Sequence, residues 1–337
     1  MSTSRTFNDD GRFSSITDGG YSNSDSRAEG SDYNNREMGS EDELFFVTSY
    51  SDFEKLGESR SKGQLTSTLF TTHFSVLCAA HGPRGTEAKH SVYVYRFNPS
   101  DGSMCLLNVL GDPKGVINPA FSRFHPRLNV VYTCTEDIEE NGRIFAYKIS
   151  SSGEASEIGH VDAGGTSTCY LTIDKAEQNM LAVNYWDSTL AVIPISQETG
   201  EFAGGIRNMY DPKGGKGMVA AAKKHGGVNH SCNDDSTIRM RQADPHSHAL
   251  VLDPYVGTVA YVPDLGKDLI REFFYDRDGA SIALELNILP SGLCSGKPDG
   301  PRYFEFHPRY DIAYVVNELS STVRIPKSDG RSLLTID

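Results

Sequence analysis

The stretch Phe306-His307-Pro308-Arg309-Tyr310-Asp311-Ile312-Ala313-Tyr314-Val315-Val316-Asn317-Glu318 decides how this chain is read. An apolar run ends at Phe306, a His-Pro turn follows, and a second run of β-branched and aromatic residues ends on two polar ones. Three other stretches repeat the pattern. Phe124-His125-Pro126 leads through Val130-Val131-Tyr132 to Glu136. Ile173-Asp174-Lys175 leads through Met180-Leu181-Ala182-Val183 to Asn184-Tyr185. Leu252-Asp253-Pro254 leads through Val259-Ala260-Tyr261-Val262 to Asp264. The anchors at 124, 173, 252 and 306 are 49, 79 and 54 residues apart, and the long gap implies an insertion over about Gln197 to Arg241.

Each unit is followed by one more strand-like run, at Arg143–Tyr147, Thr189–Ile195, Leu269–Phe274 and Thr322–Ile325. An all-β unit recurring at roughly 50 residues is the mark of a four-stranded propeller blade. A solenoid is the architectural alternative, although solenoids usually have shorter and more regular periods. A weaker fifth unit precedes the four. Phe74–Ala80 and Ser91–Phe97 read as strands, with a turn at Asn98-Pro99-Ser100-Asp101-Gly102.

Composition agrees with a β-rich core. The 337 residues include 16 Tyr, 16 Phe and 32 Gly, and 38% are hydrophobic. The net charge of -13 argues against nucleic acid and anionic membranes, since polyanion binding needs clustered Lys and Arg. No apolar run reaches the ~20 residues that cross a bilayer. The first residues lack the pattern of a secretory signal, and the six cysteines form no close CxxC pair and read as reduced thiols. Cytoplasm is therefore the expected compartment. Residues 1–66 read as an acidic Ser/Gly/Asp-rich tail too poor in apolar residues to fold alone, with a possible short helix around Phe53. Residues 67–337 read as the folded domain.

Blade geometry makes a prediction about chemistry. Residues just before an innermost strand and those just after the next strand meet on one face. That face would collect Asn118, Glu136, Asn184, Tyr185, His246, His248, Asp264, Arg302, Asn317 and Glu318. The opposite face would collect turn residues near His125, Asp174, Asp253 and His307. Carboxylates, imidazoles and a guanidinium around one mouth suit a small anionic substrate. Arg302 either holds an anion or a developing oxyanion, or pairs with Glu136 or Glu318 as scaffold. Glu318, Glu136 or His246 either activates water or is structural. His246 and His248 lie two apart on a strand and could share a metal ion, but spacing assigns no third ligand. Trp186 either stacks on a ring substrate or packs. There is no GxSxG nucleophile elbow, P-loop or dinucleotide fingerprint, and His225-Gly226-Gly227 reads as loop.

At these residues the chain resembles the seven-bladed propeller lactonases, which include the cycloisomerase-2 type 6-phosphogluconolactonases and the carboxymuconate cyclases. The likeness is carried by Val183-Asn184-Tyr185, by Asp244-Pro245-His246-Ser247-His248 with Val262-Pro263-Asp264-Leu265-Gly266, and by Gly300-Pro301-Arg302 with Val316-Asn317-Glu318-Leu319. It spans about Phe70 to Val323. Tyr303 departs from it, standing where the family usually has His. The resemblance implies an all-β propeller of the seven-bladed type with about five blades in this chain, since the family continues for about two more.

It further implies hydrolysis of a sugar-acid lactone, 6-phosphogluconolactone above all, without a cofactor or metal. Arg302, Glu318 and His246 would be catalytic. His248, Asn184, Tyr185, Asp264, Glu136 and Asn317 would bind an anionic lactone. A carboxymuconolactone cycloisomerase and a non-catalytic binding propeller are the competing readings. Oligomeric state is left open.

Overall fold

The computed structural model describes residues 43–49, 74–79, 92–98, 100–110, 118–212, 238, 241–290, 298–310 and 312–325. The tail before residue 43, the possible helix around Phe53, the loop at His225-Gly226-Gly227, Cys232, Cys294 and residues 326–337 lie outside them.

Five sheets are built from nineteen strands among the described residues. The first contains β1 (Glu43–Ser49), β2 (Phe74–Ala79), β3 (Val92–Phe97) and β4 (Met104–Leu110). The second is a meander of β5 (Pro119–Phe124), β6 (Val130–Thr135), β7 (Asn141–Ile149) and β8 (Ala155–Thr166). The third runs β9 (Thr168–Ile173), β10 (Asn179–Asn184), β11 (Thr189–Pro194) and β12 (Asn208–Tyr210). The fourth runs β13 (Val251–Leu252), β14 (Val259–Asp264), β15 (Leu269–Asp276) and β16 (Ser281–Pro290), and the fifth β17 (Pro301–Phe306), β18 (Ala313–Asn317) and β19 (Thr322–Arg324).

The four repeats thus become four antiparallel blades, and two backbone bonds recur in all of them. At one end, His125, Asp174, Asp253 and His307 donate their N–H to Val130, Asn179, Val259 and Ile312. At the other, Glu136, Tyr185, Leu265 and Glu318 donate to Asn118, Ser167, His246 and Gly300. The second set fixes the true equivalence: Leu265, not Asp264, occupies the position of Glu136, Tyr185 and Glu318. Left-handed backbone recurs too, at Ser188, Asp268 and Ser321, each four residues past the end of its second strand.

Two features differ from the reading of the sequence. In the first sheet β1 lies between β2 and β3, parallel to β2 and antiparallel to β3. Strand β1 itself falls inside the stretch read as tail. The long gap after β11 also contains β12, the fourth strand of its blade, paired through Leu190, Ala191 and Val192.

Blade-to-blade packing sets the position of the mouth. The largest buried cluster runs through Phe121, Tyr132, Leu171, Leu181, Val192, Ala260 and Phe273, so the second to fourth sheets share one core. Its apolar burial is worth about 25 cal/mol per Å². Polar ties sew neighbouring inner strands together. Arg123 Nε donates to the Leu171 carbonyl at 2.9 Å, and Thr172 Oγ1 to the Leu250 carbonyl at 2.5 Å. Tyr261 and Phe304 stack at 5.1 Å across the fourth and fifth sheets.

Candidate active site

The end of each blade's second strand has two successive residues with opposite fates, because strand side chains alternate. The last strand residue points back into its own hairpin. Asn184 Nδ2 donates to Thr189 Oγ1 and to the Ala163 carbonyl, and its Oδ1 accepts from Thr168 Oγ1. Asn317 Nδ2 donates to Thr322 Oγ1 at 3.1 Å. Asp264 is fully buried: Oδ1 accepts the N–H groups of His246 and Lys267, and Oδ2 the Arg271 guanidinium at 3.1 Å. Asn184 and Asp264, read from the sequence as substrate-binding, have these atoms bonded within and between the blades, and Asn317 Nδ2 is tied to its own hairpin. The next residue in each blade leaves the hairpin and faces the mouth, which is where Glu136, Tyr185 and Glu318 stand.

Around Tyr185 the predicted residues converge. The His246 ring stacks on it with centroids 4.7 Å apart and 14° between planes, and the His248 ring meets it edge-on at 5.3 Å. Trp186 packs edge-on against both Tyr185 and His246. His248 also touches Tyr303, over which Arg302 lies at 5.5 Å. Ser247, between the two histidines, is held by Ser188 through its N–H and its hydroxyl. Two glycines make the close approach possible. A Cβ on Gly266 would overlap the Asp244 carbonyl, and Gly300 is left-handed (φ 61°) with Leu319 where its Cβ would stand.

The charge at the mouth is organised by Glu318. Its Oε2 accepts Arg302 Nη1 at 2.8 Å, and its Oε1 pairs with Arg241 Nη1 at 2.7 Å. Arg241 also donates from Nη2 to the Tyr185 hydroxyl at 3.5 Å. Each oxygen of this one carboxylate thus holds a different guanidinium. Burial, together with Arg302 and Arg241, drives the His248 imidazole well below its ordinary 6.5 despite the opposing pull of Glu318, so it is neutral near pH 7. Its Nδ1 is buried without a hydrogen-bond partner. Burial raises the Tyr185 hydroxyl against the pull of Arg241, and burial raises the Cys169 thiol, whose field includes both Glu136 and Arg302. Cys169 is a free thiol that donates to the His248 carbonyl at 3.5 Å.

Sequence reasoning missed Arg241. It was placed at the edge of an insertion, and only its position five residues before His246 hinted at the site. Among the described residues no three His, Cys, Asp or Glu side chains gather as a metal centre. No helix among them is long and apolar enough to cross a membrane. A cavity of about 420 Å³ opens elsewhere, at the opposite end of the blades, lined by Arg127, Val130, Lys148 and Glu201 among others, far from this chemistry.

Antiparallel blades of up to four strands packed face to face define a β-propeller architecture. Residues 79–333 match the family model described as lactonase, 7-bladed beta-propeller, and the chain belongs to that family. It is an all-β propeller of that type, with about five blades represented. It is 29% identical over 208 residues to the 6-phosphogluconolactonase of Bacillus subtilis (strain 168), covering 61% of this chain and 50% of that one. Similarity of 28% over 225 residues joins it to an uncharacterized protein of Lactococcus lactis subsp. cremoris, at 67% and 56% coverage. The fold matches that of a solved putative 6-phosphogluconolactonase from Bacteroides uniformis, with TM-score 0.58, 22% identity, and coverage of 75% of this chain and 64% of that one. It also matches the periplasmic gluconolactonase of Pseudomonas aeruginosa, with TM-score 0.57, 21% identity and coverage of 74% and 64%. The chain spans about half the length of the curated relatives it matches.

Proposed function

We propose that this chain hydrolyses a sugar-acid lactone bearing an anionic group, with 6-phosphogluconolactone as the preferred substrate. The observation that carries the reading is the Arg302–Glu318–Arg241 cluster beside His248 and His246. A guanidinium suits a phosphate or carboxylate, and it can follow the charge that develops on the lactone carbonyl oxygen during attack. Family membership supports the same reaction class.

In this reading Arg302 binds the substrate anion or the carbonyl oxygen. Glu318 has both oxygens committed to guanidiniums, so it sets their spacing rather than taking a proton. His246 is the better base. Its Nδ1 lies 3.3 Å from the Tyr185 carbonyl, which can only accept, so Nδ1 carries the hydrogen and Nε2 is the proton-accepting nitrogen. Water oxygen attacks the lactone carbonyl carbon and its proton passes to His246 Nε2. The ring C–O bond then breaks, the leaving oxygen takes the proton back, and a hydroxy acid results. Neutral His248 offers a hydrogen bond to the sugar, and Glu136 and Tyr185 line the approach.

The test is hydrolysis of 6-phosphoglucono-δ-lactone by the purified chain above the spontaneous rate, beside unphosphorylated gluconolactone and a dicarboxylated muconolactone. Faster turnover of the phosphorylated lactone supports the proposal. Preference for the dicarboxylate favours the cycloisomerase, and no acceleration of any lactone leaves a binding propeller.

A further inference from the structure

We infer that Arg241 is a positioning residue of this mouth, holding Glu318 against Arg302 and Tyr185 so that a bound anion meets the Arg302 guanidinium at a fixed position. The inference rests on the lactonase reading of the site and assigns it a residue that no sequence motif marked.

Three observations point to it. Arg241 is 4% exposed, and such burial of a guanidinium is tolerated only with close partners. Its partners all belong to the mouth: Nη1 reaches Glu318 at 2.7 Å and Nη2 the Tyr185 hydroxyl at 3.5 Å. Its Nε is nevertheless buried without a hydrogen-bond partner, beside a His248 whose Nδ1 is also unpartnered. Both atoms belong to side chains whose other neighbours are mouth residues.

The backbone that carries Arg241 is itself fixed. Gln242 donates its N–H to the Ile238 carbonyl at 3.0 Å and its side-chain amide to the Leu265 carbonyl. Leu265 in turn donates to the His246 carbonyl, so Arg241 and His246 share one brace. Carboxylate Glu318 then works as a spacer. Each of its oxygens takes a different cation.

The test uses R241Q and R241K in the full chain, with thermal melts to establish folding. R241Q is expected to lower kcat for the phosphorylated lactone by about 10²-fold with a smaller change in KM, since a misplaced group costs rate rather than affinity. R241K, which keeps the ion pair with Glu318, is expected to recover part of that loss. A rise in KM at unchanged kcat, or R241K no better than R241Q, would overturn the inference.

A second readout needs no activity. His248 faces Arg302, Arg241 and Glu318, with the Tyr185 and Tyr303 rings against it and the Cys169 thiol on its carbonyl. Removing one of its two cations should move its NMR titration midpoint upward. If the unaltered chain hydrolyses no lactone, the functional proposal fails, and this titration still decides on Arg241: an unmoved midpoint in folded R241Q counts against it.

Discussion

At one end of the blades, His125 and His307 turn Nδ1 onto their own loops, accepting the N–H groups two and three residues on. Asp174 and Asp253 do the same with carboxylates; Asp253 alone collects four backbone N–H groups. At the other end, His246 and His248 pack against an aromatic from another blade, and Glu318 bridges two guanidiniums from distant segments. The residue types are the same. What differs is emphasis: the turn end spends them chiefly on closing its own loops, although Asp174 also accepts the Tyr275 hydroxyl of the next blade and His125 Nε2 is buried without a hydrogen-bond partner, whereas the mouth spends them chiefly across blades. Locally closed turns are what a scaffold needs, and long-range clusters of charged and aromatic groups are what a ligand site needs.

The strongest way to break this contrast is R302A. If the mouth is the working end, kcat/KM for the phosphorylated lactone should fall about 10²–10³-fold, the usual cost of removing a donor to a developing oxyanion. The melting temperature should change little, because Glu318 keeps Arg241. Unchanged hydrolysis would mean that the guanidinium is scaffold.

D264A sharpens the contrast within the mouth itself. Asp264 is buried and feeds two backbone N–H groups and Arg271. Its loss takes the acceptor from two buried backbone N–H groups and a buried carboxylate from Arg271, and should cost roughly 3 kcal/mol of stability, measured by denaturant unfolding. Any effect on catalysis should follow through His246, whose N–H it holds. A stable variant with raised KM would restore Asp264 as a substrate ligand.

How far the sequence could show this follows from the range of each interaction. The four blades were legible because strand alternation and turn chemistry are local: Phe306-His307-Pro308 and Leu252-Asp253-Pro254 announce their turns within six residues. The first sheet was not, because its centre is supplied by Glu43–Ser49 across a long connection. That segment's Leu44-Phe45-Phe46-Val47-Thr48 run has strand composition, but nothing local names its partner. At the mouth, Arg302 and Glu318 were legible from paired motifs. Asp264 was misread by one register, because aligning the repeats on charge places it with Glu318, whereas the recurring backbone bond places Leu265 there. Arg241 lies before β13 and reaches Glu318 of the last blade, a contact with no periodic signature.

Acid should separate the buried histidines of both ends from the turn carboxylate Asp253 by pH window. His248 and, at the turn end, His125 both sit below their ordinary 6.5, chiefly through burial. The unfolded chain therefore binds these protons more readily than the folded one, and stability is lost as pH falls below about 6.5. Asp253 is depressed too: burial opposes this, but the backbone N–H groups around it prevail. Its contribution is present above its ordinary 3.8 and is lost only as pH falls below that, so D253A should flatten the deeper acid step and spare the first. At neutral pH D253A should cost about 2 kcal/mol, in the range of a lost turn or cap acceptor. A first step that disappears in D253A would contradict the separation.

The smallest effect belongs to H307A, and it asks whether the ends are independent at all. His307 is partly exposed, and its Nδ1 receives Arg309 and Tyr310 N–H groups at 3.0 Å each. Water can reach a turn of this kind and replace those bonds, so the expected loss is about 1 kcal/mol. Yet His307 closes the same inner strand, β17, that carries Arg302 near its other end. Lactone hydrolysis by H307A at the unaltered rate would mean that a blade transmits little along its length, and that Arg302 is placed by Glu318 and Tyr303 alone. A loss of rate approaching that of R302A would mean that the turn sets the height of the guanidinium in the mouth, and the division between scaffold end and working end would have to be given up.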